Sequence, residues 1–288
     1  MPRRCSFKQT LDRLYDSRSP QHLANDPLSF CHCYRDPADQ EVVALISAVF
    51  AYGSVKVIKG SLTQIFSSMG DSPARFVDQF DPEYQRKLLS GFKHRFNTGD
   101  DLVALFWAIR LMRQQGNIEG FFSQFHAADA ESVEQGMNGF SATVLGFDYR
   151  PVFGSAGLPA TSSFSFLFPA PSGRSACKRL CMFLRWVVRP ADGVDLGLWR
   201  QIRPDQLIIP VDRHIERIGQ MLGLTCRRTP DWRMACEITT ALRQFDPDDP
   251  VKYDFSLCHL GISEGCSGYQ GPSCIPCPVR GLCKPLQR

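Results

Sequence analysis

Four cysteines crowd one short segment near the end of the chain, at Cys266, Cys274, Cys277 and Cys283. Their spacing is C-x7-C-x2-C-x5-C, which places four thiols within 18 residues. Thiolate is the soft ligand that zinc and iron-sulfur clusters select, and four of them can close a tetrahedral zinc site or hold a cubane. The sequence therefore predicts a metal centre in residues 266–283.

The spacing favours a cluster over zinc. Structural zinc sites usually bring together two close cysteine pairs separated by a longer stretch, whereas only Cys274 and Cys277 form a close pair here. Glycine and proline recur throughout residues 265–281, so the segment is a loop whose free N–H groups can point at sulfur. We expect a [4Fe-4S] cluster, with zinc and disulfides as the alternatives.

Apolar residues recur with the period of an α-helix along almost the whole chain. The pattern predicts helices that end at Gly53 and Gly70, and further helices over residues 102–112, 133–144, 177–188, 213–222, 232–245 and 251–260. Asp249 is expected to cap the last helix and Gly261 to end it. Only SFSFLF, at 163–168, alternates as a strand would, and residues 146–173 are expected to form loops around one short helix. The predicted fold class is all-α.

Charge and hydropathy limit the classes of function. A formal net charge of +4 permits binding to nucleic acid without requiring it. The N-terminal residues are basic with no apolar stretch behind them, which excludes a signal peptide. The best apolar run, residues 42–52, is well short of the roughly 20 residues that a membrane span needs. We expect a cytoplasmic protein with no membrane partner.

Asp212 stands at the start of a predicted helix, within the segment IIPVDRHIERI at 208–218. A carboxylate in that position is held by backbone N–H groups and by the positive end of the helix dipole. Such a charge can stabilise a sugar cation as a base departs, or help to activate a nucleophile. An ordinary N-cap is the alternative interpretation of Asp212.

One face of the helix predicted at 177–188 is basic. At 100° per residue, Lys178, Arg185 and Arg189 lie within about 40° of one another, and apolar residues occupy the opposite side. This stripe, together with Arg179, is typical of an edge that contacts DNA phosphates.

The cysteine loop and the Asp212 segment resemble the helix-hairpin-helix DNA glycosylase superfamily, in its endonuclease III and adenine-glycosylase branch. There a C-x6-C-x2-C-x5-C loop, one residue shorter, holds a [4Fe-4S] cluster, and a V-D-T/V-H element supplies the catalytic aspartate. Asp212 falls on that aspartate, with Arg213 in place of a small residue. In lyase-type members a hairpin lysine attacks the sugar, and Lys178 matches its position.

The chain departs from that family at the hairpin. The family reads L-P-G-V-G-x-K-T-A, whereas residues 169–178 read PAPSGRSACK, longer and with only one glycine. The stretch 189–207 also contains extra residues between Lys178 and Asp212, compared with known members of the family. The segments FLRWVVR, IIPVDRH and DPVKYDF resemble, in addition, a family of uncharacterised bacterial proteins with the same hairpin and cluster arrangement.

The resemblance implies an architecture of two helical lobes with DNA across the cleft between them. One lobe, residues 39–189, would be a helical barrel with a degenerate helix-hairpin-helix. The other would combine residues 1–38 with 190–288 and carry the cluster loop. Further DNA contacts are expected from Tyr52, near the gap that a flipped base leaves, from His214, and from Arg280 and Lys284 in the loop.

The function that the resemblance implies is base-excision repair by a nucleoid-associated monomer. The protein would be a DNA glycosylase, with or without lyase activity, that removes a damaged or mispaired base flipped from duplex DNA. Asp212 and Lys178 would be its catalytic residues, and the cluster would be structural. Two alternatives are a non-catalytic nucleic-acid-binding protein that keeps the fold and cluster, and a zinc-stabilised interaction protein.

Overall fold

A computed structural model describes residues 2–17 and 20–286 of the chain. These residues form fourteen α-helices and one antiparallel pair of two-residue strands, β1 (Lys93–His94) and β2 (Asn97–Thr98). The helices are α1 (Pro2–Asp16), α2 (Pro20–Leu23), α3 (Pro37–Val49), α4 (Val55–Met69), α5 (Pro73–Asp78), α6 (Pro82–Leu88), α7 (Gly99–Arg113), α8 (Ile118–Ser123), α9 (Glu134–Leu145), α10 (Arg150–Phe153), α11 (Lys178–Val188), α12 (Arg213–Met221), α13 (Trp232–Arg243) and α14 (Asp254–Ile262). The fold is predominantly helical, which confirms the predicted class. In the part of the chain described here, no helix is both long and apolar enough to cross a bilayer.

The helices begin where short polar side chains can cap them. Asp36 accepts a hydrogen bond from Ala38 N ahead of α3, and Ser54 accepts one from Val57 N ahead of α4. Asp231 does the same for α13 through Met234 N. Because a cap satisfies N–H groups that the helix itself leaves unbonded, these residues fix the first turns that the apolar period alone leaves uncertain.

The loop region at 146–173 contains a short helix, α10, as predicted, and the alternating stretch at 163–168 is not a strand. Residues Phe164–Leu167 form a 3-10 helix. Phe164 and Leu167 are buried while Phe166 remains exposed, so the burial follows a period of three. A 3-10 helix has three residues per turn, so residues i and i+3 lie on one side. The alternation of apolar residues in the sequence did not indicate this period.

Helices from distant parts of the chain meet around the centre of the molecule. Helix α11 packs against α3, and α12 packs against α14. The N-terminal helix α1 also packs against α14, and the Tyr253 hydroxyl donates a 2.8 Å hydrogen bond to Asp12 Oδ1. One hydrophobic core runs through residues of both predicted lobes. The N-terminal helix thus joins C-terminal helices, as the second predicted lobe requires, and the division into two lobes stays a prediction.

The predicted ends of the last helix are corrected by the structure. Asp249 makes no capping hydrogen bond, because its carboxylate binds the Arg189 side chain, and residues Pro250–Tyr253 form a 3-10 turn. Helix α14 continues through Gly261 to Ile262. Gly261 is needed where α12 approaches, since a Cβ there would lie 2.1 Å from His214 Nδ1.

We expect Gly261→Ala to lower the free energy of unfolding by about 1–3 kcal/mol, the usual range for an overpacked core position. The added methyl group would force the His214 ring to move, which outweighs the gain of up to about 1 kcal/mol in helix propensity. Gly60→Ala is the matched control, because Gly60 lies in α4 with no atom within 4 Å of the new Cβ. In urea unfolding, the midpoint concentration should fall for Gly261→Ala and rise for Gly60→Ala. Equal shifts of the midpoint in the two variants would contradict the packing argument.

Candidate active site and cysteine-lined cavity

Asp212 holds the start of α12 with one carboxylate oxygen and presents the other to Lys178 and Cys258. Its Oδ1 accepts hydrogen bonds from His214 N at 2.8 Å and Ile215 N at 2.9 Å. Its Oδ2 lies 3.8 Å from Lys178 Nζ and 3.4 Å from Cys258 Sγ. The residue is therefore an N-cap, as one interpretation of the sequence had it, and it also presents an oxygen to a lysine.

Lys178 opens α11 directly after a residue in a left-handed conformation. Cys177 has φ +48°, and Lys178 is the first residue of the helix that follows. The Lys178 side chain is 34% exposed and that of Asp212 is 19% exposed. The two predicted catalytic groups, 34 positions apart in sequence, are thus brought together at a partly open surface, where water screens their attraction.

A cavity of about 550 Å³ is lined by loop 266–283, and a second cavity, of about 410 Å³, is lined by Lys178 and Asp212. We call the second one the central cavity. Residues of α4, α11, α12 and α14, of the connection between α3 and α4, and of the turn before Pro27 surround it. Its wall includes the polar side chains of Asp26, Lys178, Arg185, Asp212, Asp254 and Cys258. Its size is within the range of about 300–1,000 Å³ that small-molecule sites occupy.

The Cys258 thiol donates a hydrogen bond to Asp212 Oδ2. Burial, and then the negative charges of Asp212 and Asp254, raise the pKa of the Cys258 thiol well above its usual range. The thiol therefore keeps its proton at neutral pH and can donate it to Asp212 Oδ2. Nothing in the sequence around Cys258 indicated this contact, because residues 212 and 258 meet only through the packing of α12 against α14.

The basic stripe on α11 does not face solvent beyond Lys178, which corrects the prediction that it contacts phosphate. Arg185 is 3% exposed, and it donates from Nε to Asp195 at 3.1 Å and from Nη1 to Asp254 at 2.5 Å. Arg189 is also 3% exposed and binds Asp195 and Asp249. Buried guanidinium groups need carboxylate partners, and these partners hold both side chains inside the protein.

Arg179, the fourth basic residue of the predicted DNA edge, is likewise buried. It donates to Val49 O and Phe166 O, and its guanidinium lies 5.1 Å from the centre of the Tyr52 ring. Burial lowers the pKa of Arg179 to about 10. The side chain ties α11 to the end of α3, and it too is unavailable to phosphate.

Tyr52 is half-buried beside the hairpin of β1 and β2. Its hydroxyl donates to Asn97 Oδ1 and to His94 O, and its ring stacks on Phe96 with centroids 5.5 Å apart. Burial raises the pKa of Tyr52 to about 12. The neighbouring Gly53, with φ +105°, is the residue of this pair that lines the central cavity. The role predicted for Tyr52 at a flipped base stays a prediction, and it is Gly53 that shares the central cavity with Lys178 and Asp212.

His214 lies in the wall of the central cavity, against α14. Its Nδ1 is 3.2 Å from Arg217 Nη2, and its ring packs on Gly261. The side chain is partly exposed and so can reach a ligand. Its contact with a DNA phosphate stays a prediction.

The four loop cysteines line the larger cavity together. Cys266, Cys274, Cys277 and Cys283 all contribute to its wall, and each carries a free thiol. The same is true of every other cysteine whose side chain is described, so disulfides are not formed among them. Within residues 2–17 and 20–286 no group of three or more His, Cys, Asp or Glu side chains is close enough to hold a single metal ion. The four thiols thus surround a space and do not converge on a point.

Helix α12 connects the two cavities. Asp212 caps its first turn, while Met221 and Leu222 at its other end line the cysteine cavity. Arg217 on α12 donates to Cys266 O at 2.5 Å, and Lys284 N donates to Met221 O at 2.8 Å. The backbone of the cysteine loop is therefore anchored to the helix that positions the candidate catalytic carboxylate.

The remaining predicted DNA contacts, Arg280 and Lys284, are exposed on the cysteine loop. Arg280 also lines the rim of the cysteine cavity. Arg213, which is exposed, lines a surface pocket together with Lys178 and Asp212, while the exposed Arg174 and Arg233 line a separate pocket. The structure thus provides accessible positive charge close to Asp212, although from residues other than those of the α11 stripe.

The chain belongs to the DUF2400 family, described as a protein of unknown function, whose family model matches residues 26–263. The matched region contains Lys178, Asp212 and Cys258 and stops before Cys266. Neither the curated proteins nor the solved structures contain a significant match to the chain.

Proposed function

We propose that the protein is a DNA glycosylase that excises a damaged or mispaired base. The observation that carries the proposal is the pairing of Lys178 Nζ with Asp212 Oδ2, at 3.8 Å, in the wall of a cavity. An amine and a fixed carboxylate at an accessible cavity are the groups that excision and lyase chemistry at a sugar C1′ require. The resemblance of the Asp212 segment and the cysteine loop to the endonuclease III branch supports the same function.

In the proposed reaction the target nucleotide leaves the duplex and its base enters the central cavity. The glycosidic C1′–N bond breaks, the base departs with the bonding electrons and takes up a proton, and Asp212 Oδ2 stabilises the positive charge that develops on the sugar. In a bifunctional enzyme neutral Lys178 forms a bond from Nζ to C1′ and loses a proton. In a monofunctional enzyme water takes that place.

The DNA would lie over exposed arginines, of which Arg213 lines a pocket with Lys178. Arg174, Arg213 and Arg233 would neutralise phosphates, while Arg280 and Lys284 would extend the contact to the cysteine loop. The buried stripe of α11 has a different task, because Arg185 and Arg189 hold the interior carboxylates together. Duplex DNA with a lesion or mismatch is thus the proposed partner, bound by a monomer associated with the nucleoid.

We propose a [4Fe-4S] cluster as the cofactor. The donor set fits this group, because four free thiols line one cavity in a loop rich in glycine and proline. Cys266, Cys274, Cys277 and Cys283 would be its ligands. When bound, the cluster would cross-link the loop, and the contacts of Arg217 and Lys284 would pass that rigidity to α12.

Screening of the purified holoprotein against duplexes that each carry one lesion or mismatch tests the function. Release of a base from at least one duplex, detected as alkali-sensitive strand cleavage, is the expected result. If the protein binds these duplexes but excises nothing, it is a non-catalytic nucleic-acid-binding protein. If it neither binds nor excises, the glycosylase proposal fails.

We expect the protein to be isolated with about four irons per chain and a broad absorbance band near about 400 nm. Cys277→Ser should lose most of the iron and unfold more easily, because the loop would lack one of its four cross-links. Cys226→Ser is the control, since Cys226 is an exposed free thiol outside the cavity. Stoichiometric zinc without iron after anaerobic isolation would favour the zinc-stabilised alternative.

A further inference from the structure

The central cavity contains a buried charged group whose hydrogen bonding is incomplete. Arg185 lines the cavity and uses Nε and Nη1 to bind Asp195 and Asp254. Its Nη2 is buried and has no hydrogen-bond partner among the described residues. A buried guanidinium N–H without an acceptor is costly, so a ligand or water that offers an acceptor oxygen is expected in front of it.

Asp26 faces the same cavity with an acceptor. Its Oδ1 accepts a 2.9 Å hydrogen bond from Leu28 N and so caps the 3-10 helix at Pro27–Cys33. No described residue donates to Oδ2. Asp26 and Arg185 have opposite charges and line one cavity. Among the ion pairs of the described residues, however, none joins these two side chains. An unpartnered donor and a carboxylate acceptor therefore belong to two side chains that line the same space.

The rest of the wall suits a flat ring. Ala51, Ile58, Met182 and Phe255 contribute apolar surface, and Gly53 adds no side chain. Apolar walls with a few convergent polar groups are the usual composition of a site for a planar heterocycle. Because Asp212 and Lys178 lie in the same wall, a ring bound there would be attached to a sugar next to the catalytic pair.

This inference rests on the proposed glycosylase activity and concerns the bases that fit the central cavity. We propose that the central cavity binds a flipped nucleobase with a lactam edge, a carbonyl next to a ring N–H, with Arg185 Nη2 donating to the carbonyl and Asp26 accepting from the ring N–H. Uracil and hypoxanthine have such an edge. Adenine and cytosine present an amino group beside an unprotonated ring nitrogen, so each polar atom would face one of its own kind.

Binding to duplexes with a non-cleavable target nucleotide separates this specificity from catalysis. Each duplex would contain one 2′-fluoroarabino nucleotide opposite the same mismatched partner, and the base would be hypoxanthine, adenine, uracil or cytosine. We expect hypoxanthine to bind at least about tenfold more tightly than adenine, and uracil at least about tenfold more tightly than cytosine. Equal dissociation constants within each pair would overturn the lactam proposal.

Asp26→Asn tests the acceptor while keeping the fold. Asparagine retains an oxygen for Leu28 N but turns a donor toward the ring N–H, so the preference for the lactam base should fall by about tenfold or more. Asp36→Asn is the matched control, since Asp36 caps α3 in the same way and lies outside the cavity. An unchanged preference in Asp26→Asn would remove Asp26 from the proposed site.

The outcomes also separate this proposal from the glycosylase proposal. If the holoprotein excises bases from natural duplexes but treats lactam and amino bases alike, only the lactam inference fails. If it excises nothing from the lesion panel, yet the non-cleavable duplexes show the lactam preference, the pocket is a recognition site without the proposed chemistry.

Discussion

We expect Asp212→Asn to remove most of the excision activity while the fold and the affinity for duplex DNA stay the same. The asparagine oxygen can still accept from His214 N and Ile215 N, so the cap of α12 is kept. What disappears is the negative charge of Oδ2, opposite the sugar cation. We expect single-turnover excision to slow by about 10²–10³-fold, the usual effect of removing one group that stabilises transition-state charge.

Asp81→Asn is the matched control for this variant. Asp81 caps α6 as Asp212 caps α12, because its Oδ1 accepts from the backbone N–H groups two and three residues on, at Glu83 and Tyr84, and Asp81 does not line the central cavity. Loss of a charged cap alone should therefore have similar effects on stability in both variants and leave excision intact in Asp81→Asn. Equal excision rates in wild type and Asp212→Asn would show that Asp212 is only an N-cap.

Much of the helical framework could be predicted because local chemistry determines it. The apolar period of α3, α4 and α7 and the caps at Ser54 and Asp212 are all properties of neighbouring residues. The all-α class and most helix positions follow from such local signals. The cysteine spacing is also local, and it identified the four side chains that line the larger cavity.

The failure of the basic stripe shows where sequence reasoning ends. Periodicity placed Lys178, Arg185 and Arg189 on one face of α11, but it could not show that carboxylates from later segments cover two of them. Asp195 and Asp254 reach Arg185 only in the folded chain. A charged stripe next to an apolar face is therefore compatible both with a solvent-exposed edge and with a buried ion-pair network, and only tertiary contacts decide between them.

Tertiary packing also explains the polar groups of the central cavity that the sequence did not reveal. Asp26 precedes a 3-10 helix, Cys258 lies within α14, and neither belongs to a recognisable motif. They line one cavity with Asp212 and Arg185 because α12 packs on α14, while α11 and the 3-10 helix after Asp26 both pack on α3. Their separation from Asp212 in sequence leaves no local pattern that could identify them.

We expect borohydride to trap a covalent complex between the wild-type protein and DNA that contains an abasic site, and Lys178→Gln to reduce trapping to background. The amine must reach C1′ while Asp212 stabilises the sugar, and Lys178 is the lysine that the structure places 3.8 Å from Asp212 Oδ2. Lys56→Gln is the matched control, because Lys56 is an exposed lysine of α4 beside the cavity residue Val55. This control should trap as the wild type does.

The outcomes of trapping distinguish three roles for Lys178. If the wild type excises bases but never traps, the enzyme is monofunctional and Lys178 acts as a phosphate contact. In that case Lys178→Gln should weaken binding to all sequences alike and lower the salt dependence by about one phosphate contact. Trapping that persists in Lys178→Gln would mean that another amine is the nucleophile. The error would then lie in matching the hairpin, since residues 169–178 are longer and poorer in glycine than the family pattern on which the assignment of Lys178 depends.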